Sequence, residues 1–522
     1  MTTADPLPRP SWAAMTAAAL LAAVGFWPAL HGGITPEDFG WLVAARQLDN
    51  PWPLLAGNPY FVYFYRPLPL LLWWLSGQAW GTNALAHHAV DLVLHALNAA
   101  LVARLAGRLS GRTEAAWIAG LVFACLPCGA GTALWLSDRF DPVALACGLG
   151  ALLAFERALA QQRGRLALAL LLLGALLSKE TAYAVAGWLL LRLLWRAWRW
   201  RERRADLWLA VALPILAAAL LRLASGTAVD TSLPITDVPA AALGGITAWW
   251  LRLPHALFAG FDEASGPVGP PAYVWPVLLA LGGLLAYALP RLRAAKDGSA
   301  TLALTGAALL CATPLLQWPV TRLALLPPGY ALTVNLRFYY LAAAALALLL
   351  GAAATVPGPR ARVLGLGLLL MLGAGGLWRT RAVGEAWTAR FAADGARQLV
   401  LAGELAAREW PRGCRLLLDA ASFNDDFRVH ADTIAKAAAA PGAPLMSCAV
   451  FAGTRVVTTV VDGALCRAED WPGLTLSQAA QAPVIARLGK LCTLQFTSPP
   501  PADDPRAVRL RVDAQGHLHD PS

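Results

Sequence analysis

The chain has few charged residues. Asp, Glu, Lys and Arg make up 14% of its 522 residues, whereas hydrophobic residues make up 58%. Soluble globular domains have roughly 25% charged and 45 to 50% apolar residues. The shortage of charge therefore excludes an ordinary water-soluble globule and predicts a polytopic membrane protein. The net charge of +10 does not indicate nucleic-acid binding, because nearly all arginines lie in short clusters between apolar segments, as on a cytoplasmic membrane face.

The first apolar segment lacks a small-residue cleavage site. Residues 11–30 can cross a hydrocarbon core of about 30 Å, so we expect an uncleaved span with the N-terminus inside. Residues 67–80 are too short to cross and are predicted to form a helix at the outer surface. Residues 241–261 either lie on the outer surface or re-enter without crossing. The ten further spans are predicted at residues 83–105, 115–135, 142–159, 166–177, 181–195, 207–223, 273–290, 301–318, 338–356 and 363–378, giving about eleven in all.

The C-terminal part lacks such apolar runs. From about residue 385 the composition becomes that of a water-soluble segment, and the runs 415–418, 456–461 and 507–513 are strand-like. We therefore predict a transmembrane domain over residues 1–380 and a small α/β domain over 385–522. By counting spans, the second domain is extracytoplasmic.

Cysteine is also scarce, with eight residues in the chain. Four lie in the C-terminal domain, an even number that predicts two disulfides in an oxidising compartment, with three pairings open. Four buried free thiols are the alternative. The other four lie in apolar spans and are expected to be small core residues. The C-terminal four are Cys414, Cys448, Cys466 and Cys492, and the others are Cys125, Cys128, Cys147 and Cys311.

One predicted span carries a polar stripe. His88, Asp91, His95 and Asn98 are spaced three, four and three apart, so they share a helical face. Such a stripe is costly in lipid and should face the protein interior. It could contact a donor phosphate, carry protons, or form a polar seam between helices. Metal binding by His88, Asp91 and His95 would need further ligands.

The charged residues next to the spans collect at one side of the membrane. Under the predicted topology, three loops offer both signs of charge at the outer ends of different spans. Arg and Lys can hold phosphate oxygens, and a carboxylate can take a proton from an attacking hydroxyl. The pattern predicts a reaction on a phosphate-bearing substrate. The residues concerned are Glu37, Asp38, Arg66, Asp138, Arg139, Asp141, Lys179 and Glu180.

The order of several motifs resembles a known family. The runs EDFGWL, YRPLPLLLW, HHAVDLVLHALN, LVFACLPCGAGTALWLSDRFDPVAL and LLSKE, and later NLRFYYLA, are similar to membrane glycosyltransferases of the C-type fold. The likeness is to the O-mannosyltransferases with transmembrane and tetratricopeptide-repeat parts, and more distantly to the lipid A aminoarabinose transferases. It covers about residues 34–180, with a looser similarity at 337–340. The tetratricopeptide array itself is absent, so the acceptors of those enzymes do not carry over.

This resemblance implies a polyprenyl-phosphate sugar donor and metal-independent, inverting transfer without a cofactor. An acidic residue of the first outer loop would be the base, here Asp38 or Glu37, with Asp38 favoured. Asp141 would be a second essential carboxylate. Arg66 and Lys179 would contact donor phosphate, although both could instead reach to the membrane interface. Arg139 and Arg337 are further phosphate candidates, Arg337 being equally suited to anchor a span end. The expected substrate pocket adds Tyr65, Asp138, Glu180, His88, His95 and Tyr339.

The predicted function is thus a multi-pass inner-membrane glycosyltransferase that acts on a hydroxyl acceptor at the periplasmic side, with membrane lipids around it. A transporter or flippase of polyprenyl-linked sugars is the alternative. Transporters often show internal repeats, and the chain shows no convincing repeat. A scaffold whose C-terminal domain binds a partner is a third alternative, but it gives the Glu37 and Asp38 pair no role. Sugar and acceptor are not indicated.

Overall fold

The structure is a computed structural model that describes residues 11–57, 64–202, 204–225, 235–258, 274–294, 298–321, 336–356, 363, 367, 371–423, 425–452, 456–467, 470–471, 474, 484–488, 491–496, 499–501 and 503–520. It is mainly helical, and the described residues after 414 form two small sheets. The helices are α1 Trp12–Gly25, α2 Pro36–Arg46, α3 Pro53–Ala56, α4 Pro67–Trp80, α5 Ala84–Ser110, α6 Thr113–Cys125, α7 Ala130–Ala133, α8 Phe140–Gln161, α9 Arg165–Leu176, α10 Tyr183–Trp200, α11 Ala205–Ala224, α12 Val238–Phe258, α13 Val274–Ala294, α14 Ser299–Thr321, α15 Tyr340–Ala354, α16 Gly376–Ala406 and α17 Asp425–Ala435.

Many helices are apolar, which confirms an all-α polytopic membrane protein. Among the described residues, five helical segments are long and apolar enough to cross a membrane, or six if one bent pair is a single span. The five are Ala84–Ser110, Leu136–Gln161, Ala205–Ala224, Ser299–Gln317 and Arg337–Ala354. Trp12–Gly25 and Arg165–Leu176 are shorter apolar helices. The total of about eleven spans stays a prediction, and most of the proposed span 363–378 lies outside the described residues.

The bent pair lies within the predicted span 115–135. Here α6 ends at Cys125 and the chain turns by 56° into Pro127–Ala133. Pro127 opens a short 3₁₀ turn, and its ring removes a backbone donor that a continuous helix would need. The span is therefore broken directly before the SDRFD loop. This break takes the chain out of the helix and into Leu136–Asp138.

The chain divides into two compact units. The helical unit comprises Met1–Leu30, His88–Ala219 and Thr231–Trp387, and the mixed unit comprises His31–His87, Leu220–Asp230 and Thr388–Ser522. The predicted domain boundary at residues 380–385 lies within α16. The last segment of the mixed unit starts slightly later, at Thr388. Residues 31–87, which the sequence placed with the transmembrane domain, fall in the mixed unit.

The helical unit packs through small residues. Gly120 of α6 lies so close to α1 and α5 that an added Cβ would stand 2.9 Å from Ala18 Cβ and 2.7 Å from Ala103 Cβ. α15 is buried along nearly its whole length, against α6 and α14. Close approach of small residues is the usual way in which membrane helices associate. Cys125 and Cys128 are buried as expected, whereas Cys311 is exposed and is not a core residue.

The mixed unit contains two sheets. Its strands are β1 Arg415–Asp419, β2 Ala449–Phe451, β3 Val456–Val461, β4 Val484–Leu488, β5 Leu491–Phe496, β6 Ala507–Val512 and β7 Leu518–His519. The first sheet has the order β2-β1-β6-β7, with β1 parallel to both β2 and β6, and the second has the antiparallel order β3-β5-β4. The predicted α/β character is confirmed, as are two disulfides, Cys414–Cys448 and Cys466–Cys492.

Within the mixed unit, α2 packs between α4 and α17. Arg46 Nη1 donates to the carbonyl of Ala437 at 2.6 Å, and the amide of Gly442 donates to Gln47 Oε1 at 3.4 Å. Gly77 of α4 lies against Ala45. The apolar residues of α2 are therefore enclosed on several sides, and the segment that carries Glu37 and Asp38 packs with the C-terminal domain.

Candidate active site

The SDRFD and SKE loops carry their charged residues at ends of helices. Asp138 closes the 3₁₀ turn Leu136–Asp138, and Asp141 lies in the first turn of α8, where the helix dipole favours a carboxylate. Lys179 has an extended backbone and precedes the 3₁₀ turn Glu180–Ala182. The side chains of all three are inside the protein, with exposed fractions of 0% for Asp138, 3% for Asp141 and 5% for Lys179.

One ammonium group joins the two loops. Lys179 Nζ lies 3.4 Å from Asp138 Oδ1 and forms an ion pair with Asp141 Oδ2. The SDRFD loop (residues 137–141) and the SKE loop (residues 178–180) therefore meet at this ammonium group. We call Asp138, Asp141 and Lys179 the carboxylate–lysine cluster. Buried charges of this kind are costly unless they are paired, and here two carboxylates share one cation.

Arg337 supplies a further positive charge beside this cluster. Its guanidinium interacts electrostatically with the carboxylate of Asp138 and lies over the rings of Trp135 at 4.6 Å and Phe338 at 5.1 Å. Such stacking on aromatic faces holds the planar group in place. Arg337 is half-buried, so it can present charge to a ligand beside Lys179.

Arg139, between the two carboxylates in sequence, faces a different partner. Its Nε donates to Asp91 Oδ1 of α5 at 2.6 Å, and neither side chain has any exposed surface. Removing either partner from a buried pair leaves a charge without compensation. The pair therefore fixes the SDRFD loop to α5. Asp91 was known from the sequence as part of the polar stripe, but its pairing with Arg139 was not.

The rest of the stripe also has partners. His95 Nδ1 lies 2.8 Å from the hydroxyl of Tyr340, and Asn98 Nδ2 donates to the carbonyl of Pro142 at 2.9 Å. His88 is fully buried. These contacts favour a polar seam between α5, α8 and α15. Within the described ranges, no three His, Cys, Asp or Glu side chains are grouped to hold a metal ion.

A small cleft adjoins Asp141. It has a volume of about 10 Å³ and is lined by Asp141, Thr181 and Tyr340 together with apolar side chains of α8, α10 and α15. A cavity of this size holds about one water molecule, so the cleft as it stands has no room for a sugar. Tyr340 and Thr181 were not among the predicted site residues, although Tyr340 lies within the NLRFYYLA motif.

The predicted first-loop residues belong to the mixed unit. Asp38 is fully buried, and its Oδ2 accepts the backbone N–H of Thr35 at 2.8 Å, which caps α2. Glu37 is half-buried in the same turn. Tyr65 donates its hydroxyl to the carbonyl of Leu55 at 2.8 Å. The half-buried guanidinium of Arg66 lies 4.2 Å from the centre of the Phe64 ring.

The two remaining predicted residues lie in the helical unit. Glu180 is half-buried in the turn after Lys179. Tyr339 is buried, stacks on Trp249 at 4.9 Å, and donates its hydroxyl to the carbonyl of Trp249 at 3.2 Å. The structure thus brings Asp138, Asp141, Lys179 and Arg337 together, with Arg139 tied to Asp91 beside them. Convergence of the first-loop residues with this group stays a prediction.

No protein-family model and no curated protein matches the chain. Several solved structures are similar to it, among them the following three. ArnT from Cupriavidus metallidurans bound to undecaprenyl phosphate has 13% identity, 93% coverage of this chain, 98% of its own and a TM-score of 0.46. Its apo form has 14% identity, coverage of 93% and 97%, and a TM-score of 0.41. The Archaeoglobus fulgidus oligosaccharyltransferase has 12% identity, coverage of 81% and 63%, and a TM-score of 0.48.

ArnT, a lipid A aminoarabinose transferase, and the oligosaccharyltransferase are membrane glycosyltransferases of the C-type fold. That is the class which the sequence motifs resemble. With identities of 12 to 14% and TM-scores below 0.5, the similarity does not decide the reaction of this chain.

Proposed function

We propose that this chain is an integral membrane glycosyltransferase that moves a sugar from a polyprenyl-phosphate donor to a hydroxyl acceptor, with inversion at the anomeric carbon. The observation that carries the proposal is the buried carboxylate–lysine cluster, with Arg337 beside it, at the junction of two loops in a bundle of apolar helices. Structural membrane anchoring needs no such group of charges, because each of them is costly to bury.

The chemistry needs one base and a place for negative charge. The acceptor hydroxyl attacks the anomeric carbon and gives its proton to a carboxylate, while the bond from that carbon to the phosphate oxygen breaks. The electron pair leaves with the polyprenyl phosphate, which needs no proton. Cations held at the leaving oxygen stabilise the charge that develops there. Lys179 and Arg337 provide such cations in the helical unit, and Arg66 is the proposed contact from the first loop.

The residue roles follow from this scheme. Asp38 is the proposed base, with Glu37 as its neighbour in the same turn, and Asp141 orients Lys179 through their ion pair. Asp138 shares that ammonium group. Arg139 was predicted to bind donor phosphate, and its buried pairing with Asp91 supports an indirect role instead, in which it holds the loop. The proposed role of His88, His95 and Tyr339 is to form the walls of the substrate pocket. They do not take part in the reaction itself.

The proposed setting is the inner membrane, with the site and the C-terminal domain on the periplasmic side. The two disulfides support an oxidising compartment for that domain. Comparing glycans on envelope proteins, lipids and polysaccharides from cells with and without this chain would identify the acceptor class. A modification that disappears with the chain and returns with wild type, but not with Asp141→Asn, supports transfer. A phenotype that Asp141→Asn restores fully argues against it.

A transporter or flippase would give a different result. Vesicles that contain the purified chain and a labelled polyprenyl-phosphate sugar report flipping as access of the label from the opposite side. Transfer instead appears as label on an acceptor, with free polyprenyl phosphate as the second product. The proposal expects the second product to form only when an acceptor is present.

A further inference from the structure

The first sheet of the mixed unit has a crevice at a position where α/β sheets commonly bind ligands. From β1 the chain crosses through α17 to β2 on one side, whereas β6 lies on the other side of β1. The loop after β1 leads through α17 to β2, and the loop after β6 turns back into β7, so the two loops start next to each other and lead to opposite sides of the β1–β6 pair. In open parallel sheets, ligands bind outside the carboxyl ends of the strands at such a switch point.

A groove occupies this position. It has a volume of about 1050 Å³, and its lining comes from the last residues of β1 and β6, the loops that follow them, and the end of β7. Because pockets for single small molecules have roughly 300 to 1,000 Å³, the groove has room for one such ligand. None of the proposed transfer residues lines it.

The charged residues of the groove differ in whether they have partners. Asp513 accepts the amides of Gln515 and His517, both at 2.9 Å, and His519 Nε2 at 3.0 Å. The hydrogen bond from His519 and the amides lower the pKa of Asp513 to about 2. Asp520 pairs with Arg408 at 3.0 Å. These two carboxylates are therefore already satisfied by the protein.

Two arginines remain. Arg509 and Arg511 lie two apart on β6, so they point to the same face of the sheet, and the register places Arg511 between Asp419 of β1 and His519 of β7. Both side chains are exposed. Within the described part of the chain, neither side chain makes an ion pair or a hydrogen bond. Asp419 is the single carboxylate of the groove lining that is similarly without a partner there. Two guanidinium groups of the groove lining are thus without a side-chain partner among the described residues.

The site is also held ready for a ligand. The loop after β6 is fixed to α16, because Glu404 accepts His517 Nδ1 at 2.5 Å and the amide of Leu518 at 2.6 Å. Ser422, in the loop after β1, donates to the carbonyl of Asp513 at 3.3 Å. A site that is formed in advance loses less freedom when a ligand binds.

We infer that the groove at the carboxyl ends of β1 and β6 binds a phosphate group, held by Arg509 and Arg511, with the rest of the ligand in water or in the groove. Guanidinium groups bind phosphate oxygens in a bidentate fashion, which suits two arginines at neighbouring positions of one strand face. The phosphate can belong to a soluble molecule or to a lipid head group.

The test uses the full chain in nanodiscs of phosphatidylcholine, with hydrogen exchange of peptides 417–423 and 509–514 as the readout. Inorganic phosphate is the soluble probe, and added phosphatidic acid is the lipid probe. At a phosphate concentration ten times its Kd, exchange through local opening should slow about tenfold. Slowing by phosphate supports a soluble ligand, and slowing by phosphatidic acid alone supports a lipid head group.

The double variant Arg509→Gln/Arg511→Gln should abolish the slowing. Arg506→Gln is the matched control, because Arg506 is exposed on the same segment but does not line the groove. Lys179→Met should leave the slowing unchanged, which separates this site from the proposed donor site and lets one inference fail without the other. Unchanged exchange of peptides from β2 and α17 shows that the double variant is folded. No slowing with either probe, or equal slowing in the double variant, overturns the inference.

Discussion

Asp91 and Arg139 form an ion pair in which both side chains are fully buried, with Arg139 Nε 2.6 Å from Asp91 Oδ1. The two residues are 48 positions apart, so the pair joins α5 to the loop that carries Asp138 and Asp141. A loop fixed in this way keeps its carboxylates beside Lys179. The pair is therefore expected to affect both the stability of the helical unit and the proposed reaction.

Asp91→Asn should destabilise the protein by about 3 to 5 kcal/mol, because it removes the carboxylate that compensates the buried charge of Arg139. The double variant Asp91→Leu/Arg139→Met should cost less than this single change. Arg381→Gln is the control, since Arg381 and Glu385 form an exposed pair that is worth at most about 1 kcal/mol. Thermal unfolding in one detergent measures all three. An equal loss of stability in Asp91→Asn and Arg381→Gln would show that the buried ion pair is no more important to stability than the exposed one.

Lys179→Met should reduce transfer by about 10² to 10³, the usual cost of removing one group that stabilises developing charge. The change also leaves Asp138 and Asp141 without their shared cation, so some loss of stability will accompany it. Lys179→Arg restores the charge and should recover part of the activity. Initial rates at saturating donor compare the activities of Lys179→Met and Lys179→Arg. Full activity of Lys179→Met would remove Lys179 from the mechanism.

Asp38→Asn tests the proposed base without disturbing the cap of α2. The amide oxygen of Asn can still accept the backbone N–H of Thr35, so the helix start should be retained while the charge is lost. We expect transfer to be abolished and unfolding to change little. Glu37→Gln is the comparison within the same turn. Retained transfer in Asp38→Asn together with loss in Glu37→Gln would assign the base to Glu37.

The disulfides should matter to the C-terminal domain alone. Cys466–Cys492 closes a loop with a sequence separation of 26 residues, for which chain-entropy arguments give about 3.5 kcal/mol. Cys466→Ser/Cys492→Ser should therefore increase hydrogen exchange in β3 and β5 and leave the α5 to α8 region unchanged. Mass spectrometry with and without reductant counts the two bonds. Four alkylated cysteines from that domain in the unreduced protein would show that the bonds do not form.

The contact between His517 and Glu404 should depend on pH. The hydrogen bond to Glu404 raises the pKa of His517, so its contribution to stability is fully present below the ordinary His pKa of about 6.5 and is lost as the pH rises through the raised value. Exchange of β7, corrected for its intrinsic pH dependence, should rise between pH 6 and pH 8.5. Glu404→Gln should flatten this response. A wild-type profile already flat would show that the pair is not charged in the folded state.

Patterns within one segment predicted much of the fold. Residues 67–80 match α4, and 456–461 match β3, because alternation, apolar runs and flanking turn residues act locally. The charged loops also singled out Asp138, Asp141 and Lys179, which the structure brings together, as expected for buried ionic groups in an apolar chain. Arg337 could be found only through the family resemblance.

Interactions between distant segments could not be predicted. The pairing of Asp91 with Arg139 depends on where α5 lies relative to the SDRFD loop, which spacing along one helix does not specify. The cysteines allowed three pairings that sequence cannot rank. Because the composition becomes polar after residue 385, the sequence did not predict that α16 continues to Ala406. No local pattern indicated that residues 31–87 pack with the C-terminal domain.

The central claim is that the carboxylate–lysine cluster and Arg337 belong to a site for a polyprenyl phosphate. Crosslinking with a photoreactive polyprenyl phosphate, followed by peptide mapping of the full chain in nanodiscs, tests it most directly. We predict labelled peptides around residues 135–145, 176–184 and 337–341, displaced by undecaprenyl phosphate but not by the corresponding alcohol, and strongly reduced in Lys179→Met. Labelling spread over lipid-facing helices, or displaced equally by the alcohol, would contradict the account.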